Sequence, residues 1–251
     1  MIREAAALIL LRDSSNGLEV CMLRRVKTSG FAAGAYVFPG GAVDESDHGL
    51  STTNACFFEQ QTDSKLLACK VAALRETLEE AGILAANVNT SAVINSSSRH
   101  KLHDGKLSFE MLLAEHAASL DLDNVIFYDH WITPDGAPKR FDTRFFLTKA
   151  LLDHDIVHDN KETDSSCWAL PEDILSLYDQ GKVKLMPVTH VQLKRLSKFN
   201  TSDEALAFAK NQRNIPVTEP IMNWGDQGKP VSVTINLAEG EVEYPVFQKR
   251  A

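Results

Sequence analysis

Apolar and polar positions along the chain fall into a few clear rhythms. Ala5 to Leu11 is continuously apolar, and Leu18 to Leu23 is mostly so. The turn-forming run Asp13-Ser14-Ser15-Asn16-Gly17 separates them, which predicts a hairpin with a buried first strand. Tyr36-Val37-Phe38 is β-prone and breaks on Pro39-Gly40-Gly41, where two glycines allow a tight turn and a close backbone approach. Leu67, Val71, Leu74 and Leu78 recur at helical spacing, so they mark one stripe of a helix that Gly82 should end. Phe109 to Leu120 reads as a further helix. Val125 to Ile132 and Phe141 to Leu147 read as paired strands around Thr133-Pro134-Asp135-Gly136-Ala137-Pro138. Cys167 to Leu170 is a short strand end, and Pro171 opens a helix. Lys184 to Phe199 and Ser202 to Asn211 read as two more helices, the second capped at Ser202. Val231 to Leu237 and Val242 to Val246 form a terminal hairpin.

The polar stretches matter as much. Asp44 to Lys65 is rich in Ser, Thr, Asn, Asp and Gln, and looks inserted between the Gly-Gly turn and the helix. Within it, Phe57 and Phe58 need an apolar partner, either a substrate cleft or the core. Asn87 to Asn95 is weakly patterned, Ser96 to Lys106 reads as loop, and His154 to Ser166 as a polar stretch. Arg24, Arg25 and Lys27 make a basic loop, whose plainest use is solubility.

The long helix carries an unusual charge pattern. Glu76 and Glu80 stand four apart, Glu76 and Glu79 three apart, and Arg75 with Glu79 forms another four-spaced pair. Acids near a helix C-terminus oppose its dipole, and crowded carboxylates repel each other. Clustered oxygens of this kind suit a hard divalent cation; three acids alone suit a solvated helix face with a salt bridge better.

Composition narrows the classes. The chain has 251 residues and a formal net charge of −8, with a pI near 5.5, so bulk binding to nucleic acid or an anionic membrane is not expected. No apolar run approaches the ~20 residues of a membrane span. Ala5 to Leu11 is too short for such a span, and it leads into Arg12 and Asp13 rather than a small-residue cleavage site, so no signal peptide is read. The final Lys249-Arg250-Ala251 is not a peroxisomal tripeptide. The four cysteines show no C-x-x-C pair and read as reduced thiols, so a cytoplasmic location is expected.

With these pieces placed, the chain resembles the Nudix hydrolases. The second half of that family's box stands at Arg75-Glu76-Thr77-Leu78-Glu79-Glu80-Ala81-Gly82-Ile83, with Thr77 where an apolar residue is usual. Phe38-Pro39-Gly40-Gly41 matches its entry. Five residues after Gly41 comes Asp47, where the pattern has Glu, and 27 residues rather than seven then separate Asp47 from Arg75. An interrupted box, together with the stretch from Trp131 to Phe146, is similar to the subgroup of Nudix-type-19 acyl-CoA diphosphatases.

The resemblance implies an α/β/α sandwich around a mixed β-sheet. It implies one domain over residues 1–251, with an insertion at 48–66 and a helical extension and hairpin over 184–251. It implies Mg²⁺ or Mn²⁺ on Glu76, Glu79 and Glu80, with Glu79 catalytic and Arg75 holding a glutamate. Gly40 and Gly41 would lie close to the metals. Arg24, Arg25 or Lys27 would meet a CoA phosphate, although the upstream CoA motif matches only in part. Glu162, six residues before Trp168, would be a further catalytic carboxylate. The expected substrate is a small nucleotide derivative, foremost CoA or acyl-CoA split into a phosphopantetheine and 3′,5′-ADP. ADP-ribose or NADH remains open, as do a nucleotide-sensing module without catalysis and a homodimer. No nucleic acid or membrane partner is implied.

Overall fold

The first apolar run becomes the centre of the main sheet. The computed structural model describes residues 2–30, 32–59, 63–88, 94–150 and 155–246. His154, part of the 87–95 stretch and the C-terminal tripeptide lie outside the described residues. Strand β1 (Ile2–Ser14) turns through Asn16 into β2 (Gly17–Arg25), antiparallel as expected. Short strands β3 (Ala35–Val37) and β4 (Gly40–Ala42) follow on either side of Pro39. A short helix α1 (Glu45–Leu50) and strand β5 (Cys56–Phe57) fill the inserted stretch. The box helix α2 runs Ser64–Ala81 and ends at Gly82 in the left-handed region, φ 75°.

Helices α3 (Ser96–His103) and α4 (Phe109–Glu115) come next, then β6 (Leu120–Asp121), β7 (Ile126–Ile132), β8 (Arg140–Lys149) and β9 (Thr163–Ala169). The C-terminal part holds α5 (Pro171–Asp179), β10 (Lys184–Leu185), α6 (Pro187–Leu196), α7 (Ser202–Asn211) and β11 (Val217–Thr218). Strands β12 (Ile221–Trp224), β13 (Pro230–Leu237) and β14 (Gly240–Pro245) close the described chain.

Among the described residues the main sheet runs β10-β3-β2-β1-β8-β7-β11, with β4 also on β1 and β9 on β2. It is mixed: β1 pairs antiparallel with β2 and β4 but parallel with β8. Side chains alternate across a strand, so β1 feeds two cores. Leu8 and Leu10, with Cys21 and Leu23 of β2, pack under α2, α3 and α4. Ile9 and Leu11, with Val20 and Met22, pack under α5, α6, α7 and the β13–β14 hairpin. A strand covered on both faces must be apolar throughout, which explains the uninterrupted run Ala5 to Leu11. Each of its fully buried Leu and Ile side chains contributes roughly 1.5–3 kcal/mol. This is the α/β/α layering implied by the resemblance.

Several boundaries differ from the sequence reading. Ser96 to His103 is helix, not loop, because the Asn95 side chain accepts the Ser98 N–H (2.9 Å) at its start. The helix expected to reach Leu120 stops at Glu115; Ala117 turns left-handed (φ 47°), and Leu120 joins β6. Residues 184–185 are strand, and α6 begins at Pro187, which forces Met186 extended. The cap of α7 is Thr201, whose hydroxyl accepts the Glu204 N–H; Ser202 is buried and bonds Asp13 instead. Residues from 184 on supply β10 and β11 to the main sheet, so they are built into it rather than appended. Phe57 and Phe58 are exposed (53% and 40%). They rim a hollow of about 440 Å³ with Val88, Asp121 and Asp123, and its lining includes none of the expected site residues.

Candidate active site

Arg75 is the hub. It is 7% exposed, yet all five of its N–H groups have acceptors. Its Nε and Nη2 donate to the two oxygens of Asp47 (2.9 and 3.0 Å), and Nη2 also to the Ala42 carbonyl (3.0 Å). Its Nη1 donates to Glu76 Oε1 (3.0 Å) and Glu79 Oε1 (3.1 Å). Burial pulls the guanidinium down, but Asp47, Glu76 and Glu79 push it further up, so it stays cationic.

Asp47, the residue found where the box pattern has Glu, is therefore the main partner of the box arginine despite the 27 intervening residues. It is 1% exposed and also accepts the Asp44 N–H (2.9 Å), which starts α1. Thr77, the other departure from the pattern, is fully buried. Its hydroxyl donates back to the Ala73 carbonyl (2.7 Å), so the methyl can face the core without leaving an unsatisfied group.

Gly40 and Gly41 lie against the carboxylates. The Gly40 N–H donates to Glu80 Oε2 (2.9 Å). A Cβ on Gly40 would stand 2.4 Å from the Ala6 carbonyl oxygen, and one on Gly41 2.5 Å from the Glu76 carboxyl. Only glycine leaves room at either position.

Three acids are thus packed in a poorly solvated corner. Burial pushes Glu76 up to about 7; Arg75 opposes that, while Glu79 and Glu162 add to it. Burial also raises Glu80 well above the usual carboxylate range, helped by Glu76 and Glu162, and opposed by the Gly40 N–H. Glu79 rises through burial, offset by Arg75 and His103. Among the described residues no three His, Cys, Asp or Glu side chains converge as a metal cage: Arg75 draws Glu76 and Glu79, and Gly40 holds Glu80. The donor set nevertheless fits a hard divalent cation. It is all oxygen, it carries more negative charge than Arg75 balances, and its cradle excludes a Cβ at Gly41.

Glu162 lies close enough to Glu76 and Glu80 to raise both. It is half exposed, with Oε2 3.5 Å from Arg25 Nη2. Its turn is rigid. Asp159 accepts the Glu162 N–H (3.0 Å), the Thr163 N–H (2.9 Å) and the Thr163 hydroxyl (2.8 Å). The Glu162 carbonyl in turn accepts the Val26 N–H (2.9 Å), which ties the turn to the basic strand end.

The basic residues separate. Arg24 is committed to Asp164 (2.6 Å), an acid 140 positions away. Arg25 reaches Glu162 and Ser29. Lys27 is exposed. Sequence reading missed Arg99, whose Nε donates to the Glu79 carbonyl (2.8 Å) from α3. A polar segment read as loop gave no signal for it.

Residues 51–196 match the NUDT19 Nudix domain family. That span begins after Gly40, Gly41 and Asp47, so the placement of these three rests on the structure. A putative nudix hydrolase 7 of Caenorhabditis elegans is 27% identical over 226 residues, covering 89% of this chain and 70% of that protein. An acyl-coenzyme A diphosphatase NUDT19 of Xenopus laevis is 25% identical over 248 residues, covering 80% of this chain; this chain spans 65% of that protein. A crystal structure of a NUDIX hydrolase from Alicyclobacillus acidocaldarius superposes with a TM-score of 0.73 at 30% identity, covering 82% of this chain and 96% of that one. Among the described residues no helix is long and apolar enough to cross a membrane. The interrupted box, the layered sheet and the matched span converge on one family: the chain belongs to the NUDT19 Nudix domain family, and it is a Nudix diphosphatase, a hydrolase of acid anhydride bonds.

Proposed function

We propose that this diphosphatase hydrolyses CoA or acyl-CoA to a phosphopantetheine and 3′,5′-ADP, with Mg²⁺ or Mn²⁺ held by Glu76, Glu79 and Glu80. The substrate reading is carried by the similarity to an acyl-coenzyme A diphosphatase over 80% of this chain. In the reaction water adds across the P–O–P bridge, one phosphoryl group takes the hydroxyl and the other leaves with the bridging oxygen. A bound divalent cation supplies positive charge against the diphosphate oxygens and lowers the pKa of water. Arg75 orients Glu76 and Glu79, and its pairing with Asp47 keeps it from swinging into the substrate. Gly40 fixes Glu80 through its N–H, and Gly41, lacking a Cβ, lets the Glu76 carboxyl lie against β4. Glu162, not committed to Arg75, accepts the proton of the attacking water. Lys27, exposed and two residues after Arg25, would meet the 3′-phosphate as a point charge.

The test is phosphate-product release over a panel of CoA, acyl-CoA, ADP-ribose and NADH. Turnover of the CoA compounds in preference to the other two is expected. Preference for ADP-ribose or NADH would move the substrate assignment and leave the chemistry. Turnover should vanish in excess EDTA and return with Mg²⁺ or Mn²⁺; full rate in EDTA would reject the cation.

Glu162→Gln should slow turnover by about 10²-fold or more, the range for a lost general base. Glu172→Gln, an exposed acid in the first turn of α5, should leave the rate unchanged. Equal rates for both variants across the pH range would remove Glu162 from the mechanism.

A further inference from the structure

The C-terminal end of α2 carries the chemistry, and three of its last four carbonyls, those of Leu78, Glu79 and Ala81, have donors among the described residues. The last four carbonyls of a helix lack intrahelical donors. Here Gly82 N–H donates to Leu78, Val157 N–H to Ala81 (both 3.0 Å), and Arg99 Nε to Glu79 (2.8 Å). No basic residue stands in the last turn of α2 itself, although three glutamates do little to suit that end of the dipole. Arg99 brings the missing cation from α3. It is 6% exposed; burial pulls its guanidinium down, and Asp159, Glu80 and Glu79 oppose that without cancelling it. Its Nη2 is buried and finds no hydrogen-bond partner among the described residues. A Cβ on Gly82 would lie 3.1 Å from its Nη1, so Gly82 admits the guanidinium as well as ending the helix.

The same helix grips the turn that presents Glu162. His103 Nε2 lies 3.4 Å from Asp159 Oδ2, and Asp159 organises that turn through three hydrogen bonds. Asp104, just past α3, pairs with Lys161. One eight-residue helix and the residue that caps it therefore contact the box helix at Glu79 and the Glu162 turn at Asp159 and Lys161.

We propose that Arg99 is a positioning residue of this diphosphatase, fixing the last turn of α2 to α3 so that Glu79 and Glu80 stay in register with Glu162. This rests on the reading of those three acids given above. A guanidinium that only capped the helix would lower stability and leave metal affinity and kcat as they are. A positioning role changes both. Arg99→Met should lower kcat by about 10–100-fold and weaken Mn²⁺ binding, measured by calorimetry with the metal alone, by about tenfold, the range seen when a group behind a metal ligand is lost. KM should move by no more than about twofold, because Arg99 touches no substrate in this scheme. Combined with Glu162→Gln, the loss should be clearly less than the product of the two single losses, as expected for residues that act as a unit.

Wild-type kcat and Mn²⁺ affinity in Arg99→Met, or fully multiplicative losses, would overturn the proposal. If Arg99→Met fails to fold, Arg99→Lys carries the test. It keeps the charge but not the planar fork, and a several-fold loss of kcat with weaker Mn²⁺ binding is expected. Unchanged values there would overturn it equally. Glu79→Gln run alongside separates the two readings. If it too leaves Mn²⁺ affinity and kcat intact, the box assignment has failed. If it loses both while the Arg99 variants lose neither, only the positioning role has failed.

Discussion

Arg75→Ala is expected to destabilise the protein by about 3–5 kcal/mol and to stop turnover, because it strands a buried carboxylate and frees two others. The magnitude follows from the inventory. Five donors meet five acceptors, and Asp47 takes two of them while being 1% exposed. Without the guanidinium, Asp47 keeps only the Asp44 N–H, and Glu76 and Glu79 face each other with no cation between them. Arg75→Lys would not restore the hub: an ammonium has three donors and no fork, so at least two of the five bonds are lost, the paired grip on Asp47 among them. Urea unfolding of the metal-free protein checks this. A loss below about 1 kcal/mol would mean that Asp47 finds other partners and that the hub is not structural. The double variant Asp47→Asn/Arg75→Ala should recover part of the loss, since it removes the stranded charge together with its partner.

How much of this was legible varies by element. The box helix was legible because three signals agree: an apolar stripe through Leu67, Val71, Leu74 and Leu78, carboxylates at three- and four-residue spacing, and a glycine stop. The central strand was legible because burial on both faces demands an unbroken apolar run. Helix α3 was not, since Leu102 is its one buried apolar side chain; a cap at Asn95 and the contacts of Arg99 hold it, and neither leaves a periodic pattern. Strands β11 and β12 escaped for a related reason: at two and four residues they are too short to show alternation. Asp47 could be counted to its box position, but only the fold shows that a 27-residue detour returns it to Arg75. Arg24 looked like a phosphate ligand from its neighbours in sequence. Its partner Asp164 arrives on β9, paired beside β2, and no local reading would reveal that. Local chemistry was readable where periodicity carried it; partnerships between distant elements were not.

Glu79→Gln is expected to cut turnover by about 10³-fold while leaving the fold intact, which sets it apart from Arg75→Ala. Losing one cation ligand costs several kcal/mol of transition-state stabilisation, and each 1.4 kcal/mol is about a factor of ten in rate. The fold should survive because glutamine has the same shape, and its amide oxygen still accepts from Arg75 Nη1, the 3.1 Å bond of the glutamate. The electrostatic sign points the same way. Burial raises Glu79 above the ordinary carboxylate value, so the folded protein bears a cost for its charge that a neutral amide avoids. In metal-free buffer the melting temperature should therefore stay level or rise slightly. Added Mn²⁺ should separate the two proteins. A ligand that binds only the folded state stabilises it by about RT ln(1 + [L]/Kd), so the wild type should gain with Mn²⁺ concentration and the variant should gain far less. A thermal-shift titration with Mn²⁺ reads this without any substrate. Equal shifts in the two proteins, or wild-type turnover in the variant, would place the cation elsewhere than on Glu79.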